Sequence, residues 1–429
     1  MSRTTADGVA DYAAYCGFLV LFPGFVVYQY AVSSGWMPAF LGGLFGLTSV
    51  AIAPISLVCL AVALHGRGGS EFALERLFAF LTTYLFLWTA IEGLTVANRG
   101  YAGDAVKESL VTLCIWIAVF FVGFRIQLAS QARYVGLMIS FAMLAGVLLL
   151  AIASHESILG PLLAFQGGDD SSDVSGGVAT YQGVGRSILV TAIVCASLHE
   201  KLWKQTVVLF LAALGLLLLG SRAHLFGCVA VIAALTCVSV TKRRDRNQAM
   251  VLLVALFVAG YALSDLFMGS RASEVLDLGE STSWQGRLDL QSRALEVVRE
   301  SPFLGEFGYH HRAGPLAGYA HNILSAWAGF GVVAFCLYAG MIVYALFVSA
   351  RNVLTPHGCT PLWLIAFQLN LVAALLALMS EPIYSSVFPA LAWGFTANAV
   401  RHDRQRSAWS ASVNGSEKID KTGLRIGRK

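Results

Sequence analysis

The chain has 429 residues, 57% of them hydrophobic and 13% charged, with a net charge of +4 and a mean hydropathy of +0.69. A soluble protein carries about 25% charged residues, so the composition excludes two or three soluble domains. It points instead to an all-α, polytopic integral membrane bundle. No nucleic-acid partner and no cofactor or metal is expected. The eight cysteines (Cys16, Cys59, Cys114, Cys195, Cys228, Cys237, Cys336 and Cys359) form no CxxC, no His-rich pattern accompanies them, and they read as small buried hydrophobes.

Taken in chain order, Met1 to Asp11 holds Arg3 against Asp7 and Asp11. The apolar run that follows, Tyr12 to Val32, is longer than a signal-peptide core and spans a bilayer by itself, so it is expected to be retained. Runs of about 20 apolar residues predict twelve transmembrane helices, at 12–32, 37–64, 77–97, 109–126, 134–153, 179–198, 202–220, 223–241, 248–268, 321–349, 362–380 and 384–400. Two of the divisions, Gly220-Ser221-Arg222 and Ser380-Glu381-Pro382, are tight polar hairpins between long apolar runs.

Two connections are long. Residues 154–178 are acidic and rich in Gly and Ser, with Asp169, Asp170 and Asp173, and read as a mobile flap. Residues 269–320, between spans nine and ten, form the largest extramembrane segment. Within it Ser281-Thr282-Ser283 precede an amphipathic stretch, Trp284 to Glu300, whose Leu288, Leu295 and Val298 predict a helix lying on the membrane surface. Pro302 ends that helix, and Gly305 and Gly308 follow as turn residues. Residues 1–400 thus form one bundle, and the basic tail 401–429 is expected to lie disordered against anionic lipid. No repeat of six spans is visible.

The distribution of cations sets the orientation. With the N-terminus inside, 20 of the 29 Lys and Arg fall in the cytoplasm, the Lys242-Arg243-Arg244 run being the strongest anchor. Both termini are then cytoplasmic, and loops 154–178 and 269–320 are periplasmic. Nine cations remain outside: Arg99, Lys107, Arg186, Arg222, Arg271, Arg287, Arg293, Arg299 and Arg312.

Two of these are unusual. Arg186 falls within the outer leaflet, and Arg222 sits in a hairpin too short to carry it far from the bilayer. A cation at such depth costs several kcal/mol unless it faces a polar cavity or a partner. One account is snorkelling, or pairing with Glu92 or Glu381. The other is a cavity that takes an anion from the membrane, where guanidinium forks match phosphate oxygens. At the mouth of span ten, His321 in Gly318-Tyr319-Ala320-His321-Asn322 is either an interfacial residue or a catalytic base, and Asn322 suits a helix cap.

The segment from Gly286 to Gly331 resembles the O-antigen ligase and O-antigen polymerase superfamily. The resemblance rests on Gly286-Arg287, then Ser301-Pro302-Phe303-Leu304-Gly305 and Gly308, then Ala320-His321-Asn322 leading to Gly329 and Gly331. Upstream, Gly220-Ser221-Arg222 after a Leu-rich span is similar to that family's arginine between adjacent helices. The resemblance implies a glycan donor on undecaprenyl pyrophosphate, with arginines holding the pyrophosphate and a loop histidine activating the acceptor hydroxyl. By matched position Arg222 and Arg287 would be pyrophosphate ligands and His321 the base; Arg186 sits in no comparable motif but joins them as a candidate ligand.

Elementary chemistry is compatible with that reading. Fixed cations neutralise a pyrophosphate leaving group without a metal. A histidine near its ordinary pKa of about 6.5 takes a hydroxyl proton at neutral pH. Attack from the back would invert the anomeric carbon. The acceptor would be a growing lipid-linked glycan or lipid A-core, with a flippase and a chain-length regulator as associated partners. The alternative is a twelve-span transporter or flippase for lipid-linked oligosaccharide, which should show internal repeats and charges near the midplane.

Overall fold

The computed structural model describes residues 3–33, 43–65, 73–96, 101–128, 131–153, 181–219, 221–241, 282–313, 320–355, 359–384 and 386–423, with residues 247, 248, 251 and 254. The flap 154–178, the cationic run 242–244 and nearly all of the expected span 248–268 lie outside the described residues. Among the described residues the chain is helical, without strands. The helices are α1 (Arg3–Leu21), α2 (Pro23–Ser33), α3 (Gly43–His65), α4 (Ala73–Thr95), α5 (Ala102–Arg125), α6 (Gln131–Ala153) and α7 (Tyr181–Ser197), followed by α8 (Leu202–Leu218), α9 (Arg222–Thr241), α10 (Thr282–Glu300), α11 (Leu324–Leu354), α12 (Pro361–Met379) and α13 (Phe388–Gly423).

Helix therefore occupies every expected span that the structure describes. Yet among the described residues only α4, α5, α9, α11 and α12 are long and apolar enough to cross a bilayer alone, with the bent pair α1–α2 as a sixth. Of the others, α7 and α8 are short, with 17 residues each, which reach about 25 Å at 1.5 Å per residue against a hydrocarbon core of about 30 Å, whereas α3 and α6 have 23 residues each. The protein is a multi-pass helical membrane protein in which, among the described residues, five to six spans meet that criterion.

The first expected span is not one rod. It bends by 40° between α1 and α2. Phe22 N still donates to Phe18 O at 3.1 Å, but Pro23 has no N–H to continue the ladder. Gly24, without a side chain, lets the chain close against the Leu19 carbonyl.

The centre of the bundle is aromatic. Phe78 stacks on Phe120 at 4.0 Å, Trp116 lies 5.6 Å from Tyr338, and the Trp393 ring packs edgewise on Trp116 and Tyr338. Helices α5 and α13 approach at backbone distance through Gly123 and Gly394, where any side chain would strike the opposing main chain. Small residues allow this closeness, which suits a bundle whose association depends on packing rather than on escape from water. Outward, Phe80, Phe86, Leu87, Ile91 and Leu94 of α4 and Val343 and Phe347 of α11 are exposed, an apolar surface suited to lipid.

Polar residues collect at the two ends of α5. Near its C-terminus Arg125 pairs with Asp11 at 3.0 Å, and Trp363 Nε1 donates to Asp403 Oδ2 at 2.6 Å from the same end of the bundle. Near its N-terminus, about 25 Å away at 1.5 Å per residue, Glu108 meets the histidines of the 309–313 turn. Asp11 and Arg125 thus lie at the other end of α5 from Glu108 and the 309–313 turn.

Residues 401–423 continue α13 as helix; the first turns pack on the bundle, with Arg401 over the Phe124 ring and Asp403 held by Trp363. The expectation that the cysteines are buried is corrected. Of the cysteines, Cys195 and Cys228 are buried but Cys237, Cys336 and Cys359 are exposed: Cys237 and Cys336 lie on apolar helices that have lipid as well as protein to face, and Cys359 lies in the connection before α12. Helix α10 forms as its spacing predicts, but the packing face is Ala294, Val297 and Val298 against Tyr309, Ala320 and Ala328, while Leu288 and Leu295 are exposed.

Candidate functional site

The loop after α10 is built into α11. Gly331 has φ +79° and kinks that helix, so Val332 N no longer donates to Ala328 O. Val332 N donates instead to Phe303 O at 3.1 Å, and Ala328 O accepts from Glu306 N at 2.7 Å. A segment of the loop backbone therefore takes the place of one rung of the helix, and Val332 N and Ala328 O both keep a partner. Gly305 (φ +66°) and Gly331 face each other across this exchange, and a side chain on either would collide with main-chain atoms of the other segment. Trp327 Nε1 donates to Pro302 O at 2.7 Å and adds a third tie.

This docking carries His321. The Tyr309 hydroxyl accepts the Ala320 amide at 3.1 Å, Asn322 Oδ1 accepts Leu324 N at 3.0 Å, and Ile323 N donates to Ala377 O at 2.6 Å. His321 is thus held from both sides, three residues before α11 and outside its span. Burial and the nearby Arg287 guanidinium push its pKa down to about 4. The ordinary value expected from sequence is corrected: a half-buried imidazole beside a fixed cation resists protonation.

Arg186 and Arg222 belong to a second cluster. Gly185 packs directly against Ser221 Oγ, which brings α7 onto the start of α9. Ser221 Oγ and His224 Nδ1 share a hydrogen bond of 2.9 Å, His224 Nε2 lies 3.3 Å from Glu381 Oε1, and Arg186 Nε lies 4.0 Å from the same oxygen. Ser386 Oγ donates to the other carboxylate oxygen at 2.7 Å. Burial alone would raise the Glu381 pKa; His224, Arg186 and Ser386 outweigh it and hold the carboxyl below its usual range. The order Ser221, His224, Glu381 imitates a hydrolytic triad, but Ser221 is buried under Gly185 and cannot reach a substrate. The pairing of Arg186 with Glu381, one of the two partners considered from sequence, is the one observed.

Arg186 also lines a cavity of about 260 Å³ with Thr112, Trp116, Gly183, Tyr384 and Ser386. Its floor is pinned by Thr112 Oγ1, which donates to Tyr384 O at 2.7 Å, and by Trp116 Nε1, which donates to Ser386 O at 2.7 Å. Arg222, half-buried, opens α9 beside Ser221. Arg287 on α10 acts electrostatically on His321, and the residues next to Arg186 and Arg222, Gly185 and Ser221, meet at the α7–α9 contact. Tyr384 stands between the clusters: it lines the cavity, and its ring lies 4.5 Å from His310 and 5.3 Å from Phe330.

Sequence reasoning missed the importance of Glu108, His224 and Tyr384. Glu108 sits one residue outside an apolar run, and the adjacent His310-His311 pair is 202 residues away. No local pattern joins them. Glu381 was legible only as a charge in a tight hairpin.

Residues 207–339 match the family model described as O-antigen ligase. The match covers Arg222, Arg287 and His321 and ends before Glu381; Arg186 and Glu108 precede it. A comparison with curated proteins found no match. The resemblance to the O-antigen ligase and polymerase superfamily therefore holds over the segment that carries the loop, the α11 kink and the histidine.

Proposed function

Proceeding from that family match, we propose that the protein is a membrane glycosyltransferase that moves a glycan from undecaprenyl pyrophosphate to a sugar hydroxyl at the periplasmic face of the inner membrane. The observation that carries this reading is His321 held on a loop that is hydrogen-bonded to α11, within electrostatic reach of Arg287 on α10. A base with a cation near it suits this transfer. As the acceptor oxygen bonds to the anomeric carbon, His321 takes its proton and the carbon–oxygen bond to pyrophosphate breaks with inversion. Arg287 and Arg222 hold the departing charge, and fixed cations make a divalent ion unnecessary for that step.

Arg287 has a further consequence. Alone, it lowers the basicity of His321; a pyrophosphate bound to it supplies compensating negative charge and raises that basicity. The base is thereby strengthened when the donor is seated. Arg186, aligned by Glu381, faces the cavity as a third cation. The acceptor is a growing lipid-linked glycan or lipid A-core, and a flippase and a chain-length regulator would supply and pace the former.

The test is a purified assay with a polyprenyl-pyrophosphate-linked oligosaccharide, following transfer and release of polyprenyl pyrophosphate with EDTA present. Product with an inverted linkage is expected. Transport of the intact donor without bond cleavage would overturn the reading in favour of a flippase. The orientation, with both termini cytoplasmic, rests on the distribution of cations. Alkaline phosphatase fused at Gly279 should be active, and an active fusion at Arg244 would reverse the topology.

A further inference from the structure

We propose that Glu108, His310 and His311 form a zinc-binding site that clamps the 309–313 turn to α5. His310 Nε2 lies 2.8 Å and His311 Nε2 3.1 Å from the same oxygen, Glu108 Oε2. The three ligand atoms all lie within 4.8 Å of one another. In a tetrahedral zinc site with bonds of about 2.0–2.1 Å, ligand atoms are spaced about 3.3 Å apart. The two nitrogen–oxygen edges therefore need to open by about 0.5 Å and about 0.2 Å to admit an ion.

The donor set selects the metal. Two imidazoles and one carboxylate suit zinc and its first-row neighbours, whereas calcium and magnesium require oxygen ligands in greater number. His310 is buried and its ring is fixed between those of Tyr309, at 5.5 Å, and Tyr384, at 4.5 Å. Glu108 and His311 are partly exposed, 31% and 21%, which leaves room for a water to complete the coordination. On binding, each imidazole offers an unprotonated Nε2 and keeps its proton on Nδ1, and Glu108 binds as the carboxylate. The Glu108 carboxylate offsets one of the ion's two positive charges, so the site with zinc bound carries a net single positive charge.

The clamp positions the loop rather than touching substrate. It fixes the turn carrying Tyr309, whose hydroxyl holds the amide of Ala320, the residue before His321. It also joins elements 200 residues apart, Glu108 on α5 and the turn at His310 and His311. This inference departs from the sequence expectation of no metal, and it stands independently of the proposed reaction.

The experiment uses the untagged full-length chain in detergent, stripped with chelator and titrated with Zn²⁺ against a chromophoric competitor. One equivalent should bind at micromolar or lower concentration and raise the midpoint of thermal unfolding by several degrees. Co²⁺ in the same site should give the visible absorption of a low-coordinate nitrogen and oxygen environment. Glu108→Gln and His311→Ala, both at partly exposed positions, should each weaken binding at least tenfold, with the stripped protein's unfolding midpoint serving as the check that each still folds. Absence of saturable Zn²⁺ binding, or binding unchanged in both variants, would show the trio to be a hydrogen-bonded latch only. Because the readouts are metal binding and unfolding, a failed glycan transfer assay leaves this test unaffected.

Discussion

Arg186 Nε lies 4.0 Å from Glu381 Oε1, at the outer limit of an ion pair, while the same guanidinium lines the cavity. Its side chain is 14% exposed and that of Glu381 is 6% exposed. Removing one partner of a buried pair costs about 3–5 kcal/mol, because the other charge is left stranded. Here His224 and Ser386 also hold Glu381, so the carboxylate keeps partners when Arg186 changes. Arg186→Lys is therefore expected to leave the unfolding midpoint nearly unchanged and to raise KM for the lipid-linked donor about tenfold, through loss of the guanidinium fork. An unchanged KM would reduce Arg186 to a structural partner of Glu381.

A second prediction concerns the backbone exchange at the α11 kink. Gly331→Ala places a side chain at φ +79° and against the Phe303 carbonyl. Strain of this kind costs about 1–3 kcal/mol, and the collision adds to it. Denaturation in mixed micelles should show a loss of at least that size, accompanied by loss of transfer activity, since the loop that carries His321 undocks. Gly340→Ala, nine residues on and with open space around it, should show neither effect. Equal behaviour of the two variants would mean that the exchange does not hold the loop.

How much of this was legible in the sequence follows from what periodicity can report. The apolar runs at 223–241 and 362–380 predict α9 and α12 almost to the residue. The amphipathic helix α10 was equally visible, but its packing face was not. Periodicity finds a stripe of large apolar residues without saying whether protein or lipid receives it. In α10 the tight approach to α11 falls to Ala294, a small residue that hydrophobic counting passes over. The break at Pro23 was written in the sequence and outweighed by the length of the apolar run. The lowered pKa of His321 was not legible, because it arises from burial and from an arginine 34 residues earlier in the chain. The Glu108, His310, His311 cluster likewise exists only once α5 and the loop are in place.

The third prediction is for the two arginines inside the family match. Arg222→Lys and Arg287→Lys keep the charge and lose the planar pair of donors. Each should lose most of the transfer activity, on the order of tenfold or more in kcat/KM (about 1.4 kcal/mol per factor of ten), with normal insertion into the membrane. If both lysine variants work at the wild-type rate, bidentate recognition of pyrophosphate is wrong.

The last prediction is the pH dependence that His321 imposes. A general base works only when unprotonated, and kcat/KM reports the pKa of the free enzyme. Burial and the Arg287 guanidinium hold that pKa at about 4. The rate should therefore rise with pH through about 4 and be flat from pH 5.5 to 7, rather than rising through 6.5. Arg287→Gln removes the repulsion but not the burial, so the rising limb should move upward in pH even as donor affinity falls. The profile of kcat should lie higher than that of kcat/KM, because bound pyrophosphate favours the imidazolium. His321→Ala should lower the rate by about 10²–10⁴-fold, the usual contribution of a general base, and abolish the limb in whatever rate remains, with donor binding retained. A phosphate ligand at this position would instead lose donor binding, and an interfacial anchor would lose the fold. Should His321→Ala keep more than about a tenth of the turnover, less than a general base allows, the proton must pass elsewhere. His311 would be the next residue to change, since its Nε2 lies 3.1 Å from Glu108 and shares the loop.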